Sequence, residues 1–89
     1  MKRAKTLIRQ RQFAICVENA DYPASLELHK LYRLVLDEDA ARDGDLRVID
    51  ESGEDYLYPA DYFIVVEFPQ AVQRALKMSF ARVMQPASA

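Results

Sequence analysis

The sequence predicts a mainly β domain, a small curled sheet or barrel, followed by one C-terminal amphipathic α-helix. Two observations carry this. Between Phe13 and Glu67, short runs rich in β-branched and aromatic residues alternate with clusters of Asn, Asp, Pro, Ser and Gly, the pattern of strands and turns. From Pro69 the hydrophobic period changes, with Val72, Leu76, Phe80 and Val83 at helical spacing. Five short strands fit the first region, and a barrel would satisfy edges that a flat sheet leaves bare.

Phe13, Ala14, Ile15, Cys16, Val17 and Glu18 form the first β-prone run, bounded by Asn19, Asp21 and Pro23. Leu7 and Ile8 fit either an extension of that strand or a helical turn. Asn19 to Ser25 has loop composition, and Leu26 to Leu36 alternates partly, with Lys30 interrupting, as one bent strand or two short ones. A polar connection, Asp37 to Asp45, has room for a helical turn over Glu38 to Arg42. Leu46 to Asp50 and Asp55 to Tyr58 then flank Ser52-Gly53, the clearest hairpin signal, because Gly53 accepts positive φ at low steric cost. Pro59-Ala60-Asp61 breaks the strand and Tyr62 to Glu67 resumes it. The helix is expected over 69–84, opened by a proline tolerated in the first turn and ended before Pro86.

Length and composition set outer bounds. Eighty-nine residues make one domain. A 51% hydrophobic share and a net charge of −2 argue against a disordered chain. The lone Cys16 leaves no intrachain disulfide framework or cysteine-rich zinc site and fits a reducing, cytoplasmic setting. No apolar run reaches the ~18 residues of a membrane helix, and the basic start lacks the apolar core of a signal peptide.

The small net charge conceals three blocks. Residues 1–12, a basic leader, carry +5; residues 13–68, essentially the sheet or barrel, carry −10; residues 69–89, with the helix, carry +3.

Residues 18–66 resemble the Src-homology-3 barrel in the order of their features. Leu26-Glu27-Leu28 follows a long acidic first loop, Leu46 to Tyr58 is similar to the central hairpin, and Tyr56-Leu57-Tyr58-Pro59-Ala60-Asp61-Tyr62-Phe63 resembles the turn before the last strand. The stretch from Glu27 to Pro69, with its Arg-Val-Ile-Asp-Glu-Ser-Gly-Glu-Asp-Tyr-Leu-Tyr-Pro core, also resembles a family of small bacterial proteins with no established activity. The first resemblance implies a five-stranded Src-homology-3-like barrel over residues 13–67 and a peptide-binding role. The chain departs from that family in three ways: it has no Trp, Tyr stands one place closer to the proline, and in place of an Ala-Leu-Tyr-Asp-Tyr entry it has Phe13 to Glu18 followed only later by Tyr22. What survives is an aromatic shelf of Tyr22, Pro59 and Tyr62 flanked by Glu18, Asp21, Asp37, Glu38 and Asp39. Aromatic rings suit a preformed polyproline helix, and acids beside them suit a basic partner. The plainer alternative makes Tyr56, Tyr58 and Tyr62 packing tyrosines with their hydroxyls in water.

Other constellations point to structure rather than chemistry. Aligned on a calcium loop from Asp39, the acidic connection puts Ala41 and Arg47 where ligands belong, so no metal is expected there. His29 has no second His nearby, and Cys16 sits in an apolar strand where a thiol is usually inert packing. Asp50, Glu51, Glu54 and Asp55 surround the hairpin turn, where solvation should leave them ordinary, with Arg47 offering a cross-strand charge pair. Lys2, Arg3, Lys5, Arg9 and Arg11 suit a phosphate backbone, but the −10 body would repel it. Basic ends docking on acidic barrels, in one chain or between copies, is the preferred use of those charges. The expected function is therefore a non-enzymatic, cofactor-free interaction module for a basic or proline-containing protein or peptide. Nucleic-acid binding through the leader is the alternative. The helix is expected to pack on the barrel or on a partner subunit.

Overall fold

The computed structural model describes residues 13–84, so the basic leader, Leu7 and Ile8 lie outside the described residues. The strands are β1 (Phe13–Cys16), β2 (Leu31–Val35), β3 (Asp45–Ile49), β4 (Asp55–Pro59) and β5 (Phe63–Val66). A short helix α1 (Glu38–Arg42) joins β2 to β3, a 3-10 turn (Ala60–Tyr62) joins β4 to β5, and α2 (Gln70–Met84) follows.

All five strands lie in one antiparallel sheet of order β4-β3-β2-β1-β5. The first strand is internal, pairing with β2 through Phe13↔Arg33 and with the last strand through Phe13↔Val66 and Cys16↔Phe63. The sheet is not closed, because β4 and β5 are its edges and do not pair with each other. Side-chain packing links the two edge strands instead. Tyr58 of β4 and Phe63 of β5 bring their rings to 6.3 Å over a shared core with Ala14, Cys16, Leu26, Tyr32 and Val48.

Local chemistry explains most boundaries. Asp37 caps α1, its carboxylate accepting from Ala40 N–H at 3.0 Å, with acids in the first turn and Arg42 in the last. Gly44, at φ 81°, then turns the chain into β3, and its carbonyl accepts from Ala60 N–H at 2.9 Å. Gly53, at φ 86°, makes the β3–β4 turn as its sequence context requires.

The second strand is shorter than the alternation of Leu26 to Leu36 suggests. His29 adopts φ 66°, a left-handed conformation that breaks the extended chain and starts β2 only at Leu31. Leu26 is nonetheless 1% exposed, buried from a loop rather than from a strand. Its segment is drawn across the end of the sheet by Ser25, whose carbonyl accepts from Glu51 N–H at 3.0 Å. Asn19 Nδ2 donates to the Leu26 carbonyl at 2.9 Å and completes the anchor.

Helix α2 lies on the opposite face of the sheet from this core. The Phe80 ring stacks on Phe13 at 6.1 Å, and the Arg33 guanidinium sits 5.3 Å from the Phe80 centroid. Leu76 joins Phe80 in facing the sheet, while Val72 and Met78 stay exposed, so the helix meets the sheet along a narrow seam. Among the described residues no helix is long and apolar enough to cross a membrane.

Two substitutions separate these layers. Leu26→Ala should cost about 3 kcal/mol in denaturant unfolding, the usual range for deleting a buried leucine side chain. Phe80→Ala should cost about 1 kcal/mol because that ring is only half buried. In the Phe80 variant, hydrogen exchange should lose protection at the α2 amides first and leave the strand amides protected.

Candidate functional site

The predicted aromatic shelf assembles around the 3-10 turn. Tyr22, from the loop after β1, meets the Tyr58 ring edge-to-face at 4.9 Å and the Tyr62 ring at 6.0 Å. Pro59 ends β4 with ψ 133° and delivers the chain into the turn that carries Tyr62. Below the shelf, Val17 N–H donates to the Tyr62 carbonyl at 2.8 Å, tying the loop to the turn. Tyr22 remains 39% exposed and Tyr62 half-buried, so ring surface faces solvent.

Polar groups hold these rings in place. The Tyr62 hydroxyl donates to Asp21, and this bond, with partial burial, pushes the phenol up to about 12. The Tyr58 hydroxyl donates to Asp50 Oδ2 at 2.6 Å, and burial first, then that bond, pushes it up to about 12. At neutral pH both phenols therefore stay protonated and act as donors. Glu18 accepts from Ala20 N–H at 3.0 Å and lies exposed near the start of the same loop.

Asp37 and Glu38, expected beside the shelf, line a depression of about 210 Å³ with Leu34, Leu46, Val65 and Ala60 of the 3-10 turn; Tyr22, Pro59 and Tyr62 are not among its lining residues. Asp37 is also committed to the fold. Its carboxyl is held below the usual range by the Ala40 N–H and by Arg47, whose Nε lies 2.8 Å away. Asp39 pairs with Arg42 one helical turn on. Arg47 bridges to Asp55 at 3.1 Å, the cross-strand pair expected of the hairpin.

The hairpin acids differ from expectation in one respect. Asp50 is not a solvated tip residue but is 6% exposed. It accepts from Ser52 N–H at 2.9 Å, from Ser52 Oγ at 2.6 Å and from Tyr58. Burial pushes its carboxyl up, yet the Ser52 and Tyr58 bonds outweigh burial and leave it below the usual range. The missed signal is Tyr58 itself: a tyrosine directed into a core needs an acceptor, and the nearest side-chain carboxylate across the turn supplies it. Beside it Glu51 receives Lys30 at 2.8 Å and the Tyr32 hydroxyl, and both partners hold its carboxyl low.

Cys16 is buried, its thiol donating to the Glu18 carbonyl at 3.3 Å, and burial pushes its pKa up, which disfavours the thiolate. Among the described residues no group of His, Cys, Asp or Glu is placed to hold a metal ion. The cations at Lys2, Arg3, Lys5, Arg9 and Arg11 lie outside the described residues.

Asp50 and Glu51 both ionise more readily in the folded chain than in the unfolded one. Their contribution is therefore fully present above the ordinary carboxylate pKa of about 4 and is lost as pH falls below it. Asp50→Asn should lower stability by about 2 kcal/mol at neutral pH, the scale of a hydrogen bond to a charged group. The same variant should flatten the loss of stability on acidification, followed by urea unfolding at several pH values. Comparison of the chain with protein-family models, with curated proteins and with solved structures finds no match to any of them.

Proposed function

We propose that this protein is a non-enzymatic interaction module that binds a basic or proline-containing segment of another protein on the Tyr22–Pro59–Tyr62 shelf. The observation that carries this reading is the arrangement of Tyr22 and Tyr62. The two rings meet at 6.0 Å with open surface, on a turn fixed by hydrogen bonds, beside Asp21 and Glu18. Open aromatic surface with acids at its margin suits a polyproline ridge carrying Lys or Arg. The strand order and the 3-10 turn before the last strand support an Src-homology-3-like reading of the fold, with the sheet edges left unpaired. The loop after β1 supplies Tyr22 and Asp21, and the turn supplies Pro59 and Tyr62.

The acids of α1 lie in another depression, so in this reading Asp21 and Glu18 set the charge preference of the shelf. A cytoplasmic location, expected from the lone free cysteine, belongs to the same proposal.

Tyr22→Ala is the direct test, because that ring is exposed enough to remove without opening the core. Proline-rich peptides flanked by Arg, titrated while amide chemical shifts are followed, should move resonances around Tyr22, Pro59 and Tyr62. The variant should weaken binding about tenfold or more, the scale of a lost aromatic anchor. Peptides with Glu in place of Arg should bind more weakly still. Shifts confined to other parts of the sheet, or equal affinity for both peptide charges, would remove the proposal.

A further inference from the structure

A second surface carries a separate inference. The depression at the α1 end of the sheet has an apolar floor of Leu34, Leu46 and Val65 and an acidic rim of Asp37, Glu38 and Asp45. Arg47 also reaches this rim, but it is taken up between Asp37 and Asp55. Helix α2 carries complementary chemistry on the side turned away from its own sheet. Met78 is 59% exposed, and Arg74 and Arg82, one turn before and after it, are exposed on the same side, with Lys77 exposed beside them.

We propose that this acid-rimmed depression receives helix α2 of a second copy of the chain. The helix cannot serve its own depression. Leu34, Val35 and Leu36 at the end of β2 line the depression, and no residue of α2 does, whereas Leu76 and Phe80 of α2 lie beside Leu31 and Arg33 at the start of the strand. Phe80 holds α2 there, against Phe13 and Arg33. Each copy thus presents a basic helix and an acidic receptor at separate places on one sheet, and a head-to-tail contact joins the helix of one copy to the receptor of the next. The exposed Met78 is a flexible apolar side chain suited to such a floor, and the surrounding charges set the register and the salt sensitivity of the contact. None of Tyr22, Pro59 and Tyr62 lines this surface, so the proposal does not rest on the peptide-binding reading.

Charge reversal on the two sides provides the test, read by sedimentation of the full chain across a concentration series. The wild-type chain should self-associate, and more weakly as salt is raised. The helix variant Arg74→Glu/Lys77→Glu/Arg82→Glu should lose self-association by about tenfold or more, and the rim variant Glu38→Lys/Asp45→Lys by a similar factor. Mixing the two variants should restore association, because each supplies the charge that the other now needs. Met78→Asp, a single change on an exposed position, should weaken association alone and keeps the helix side testable if the triple variant folds poorly. A wild-type chain that stays monomeric throughout the series, or variants that associate as the wild type does, would overturn the proposal.

Discussion

A backbone hydrogen bond from Glu51 N–H to the Ser25 carbonyl ties the loop after β1 across the end of the sheet, and the buried Leu26 and the tyrosine network of the core meet at that tie. An open five-stranded sheet with one core face must have its ends covered, since a curled sheet without plugs leaves apolar side chains wet. That bond draws the loop after β1 onto the β3–β4 turn and seats Leu26 beneath it. The hairpin turn is therefore more than a connection. Its backbone donates to the loop, while its side chains accept from Tyr32 and Tyr58. Two of the core tyrosines are oriented from this single turn, and Tyr22 then packs on one of them.

The same arrangement links the core to the shelf. Asp50 fixes the Tyr58 hydroxyl, the Tyr58 ring receives Tyr22, and Tyr22 meets Tyr62. Each link is a specific contact rather than general burial, so the exposed rings rest on a buried carboxylate. A shelf built this way is preorganised: its conformational cost is met when the chain folds, not when a ligand arrives.

Much of this was legible in the residues where local chemistry decides. Ser52-Gly53 marked the β3–β4 turn, the apolar spacing after Pro69 marked α2, and the polar connection after β2 left room for the helical turn over Glu38 to Arg42. Tyr22 and Tyr62, far apart in the chain, do meet. What stayed hidden depends on tertiary geometry. The phase of Leu26 and Leu28 imitates a strand, yet a single left-handed residue, His29, separates Leu26 from β2 and turns it into a plug. Asp50 reads as a turn acid because nothing local shows that Tyr58 points inward behind it. Asp37 and Glu38, distant from Tyr22 and Pro59 in the chain, line a depression with Leu34 and Leu46, and no local signal announces that neighbourhood. Barrel closure was expected from the edge problem, and the structure answers that problem with short edges, a proline ending β4 and a loop across the end.

The internal position of the first strand has a consequence for how the chain is made. Its partner β5 is the last strand to be synthesised, whereas β3 and β4 are neighbours that can pair as soon as both exist. During translation one side of β1 must wait, its amides and carbonyls unpaired, until nearly the whole sheet has been delivered. The waiting strand contains Phe13, Ala14 and Cys16, all fully buried at the end. A ribosome that pauses between β4 and β5 would hold that apolar segment exposed, and the speed of the last stretch of synthesis then governs how long the nascent chain is open to wrong pairings.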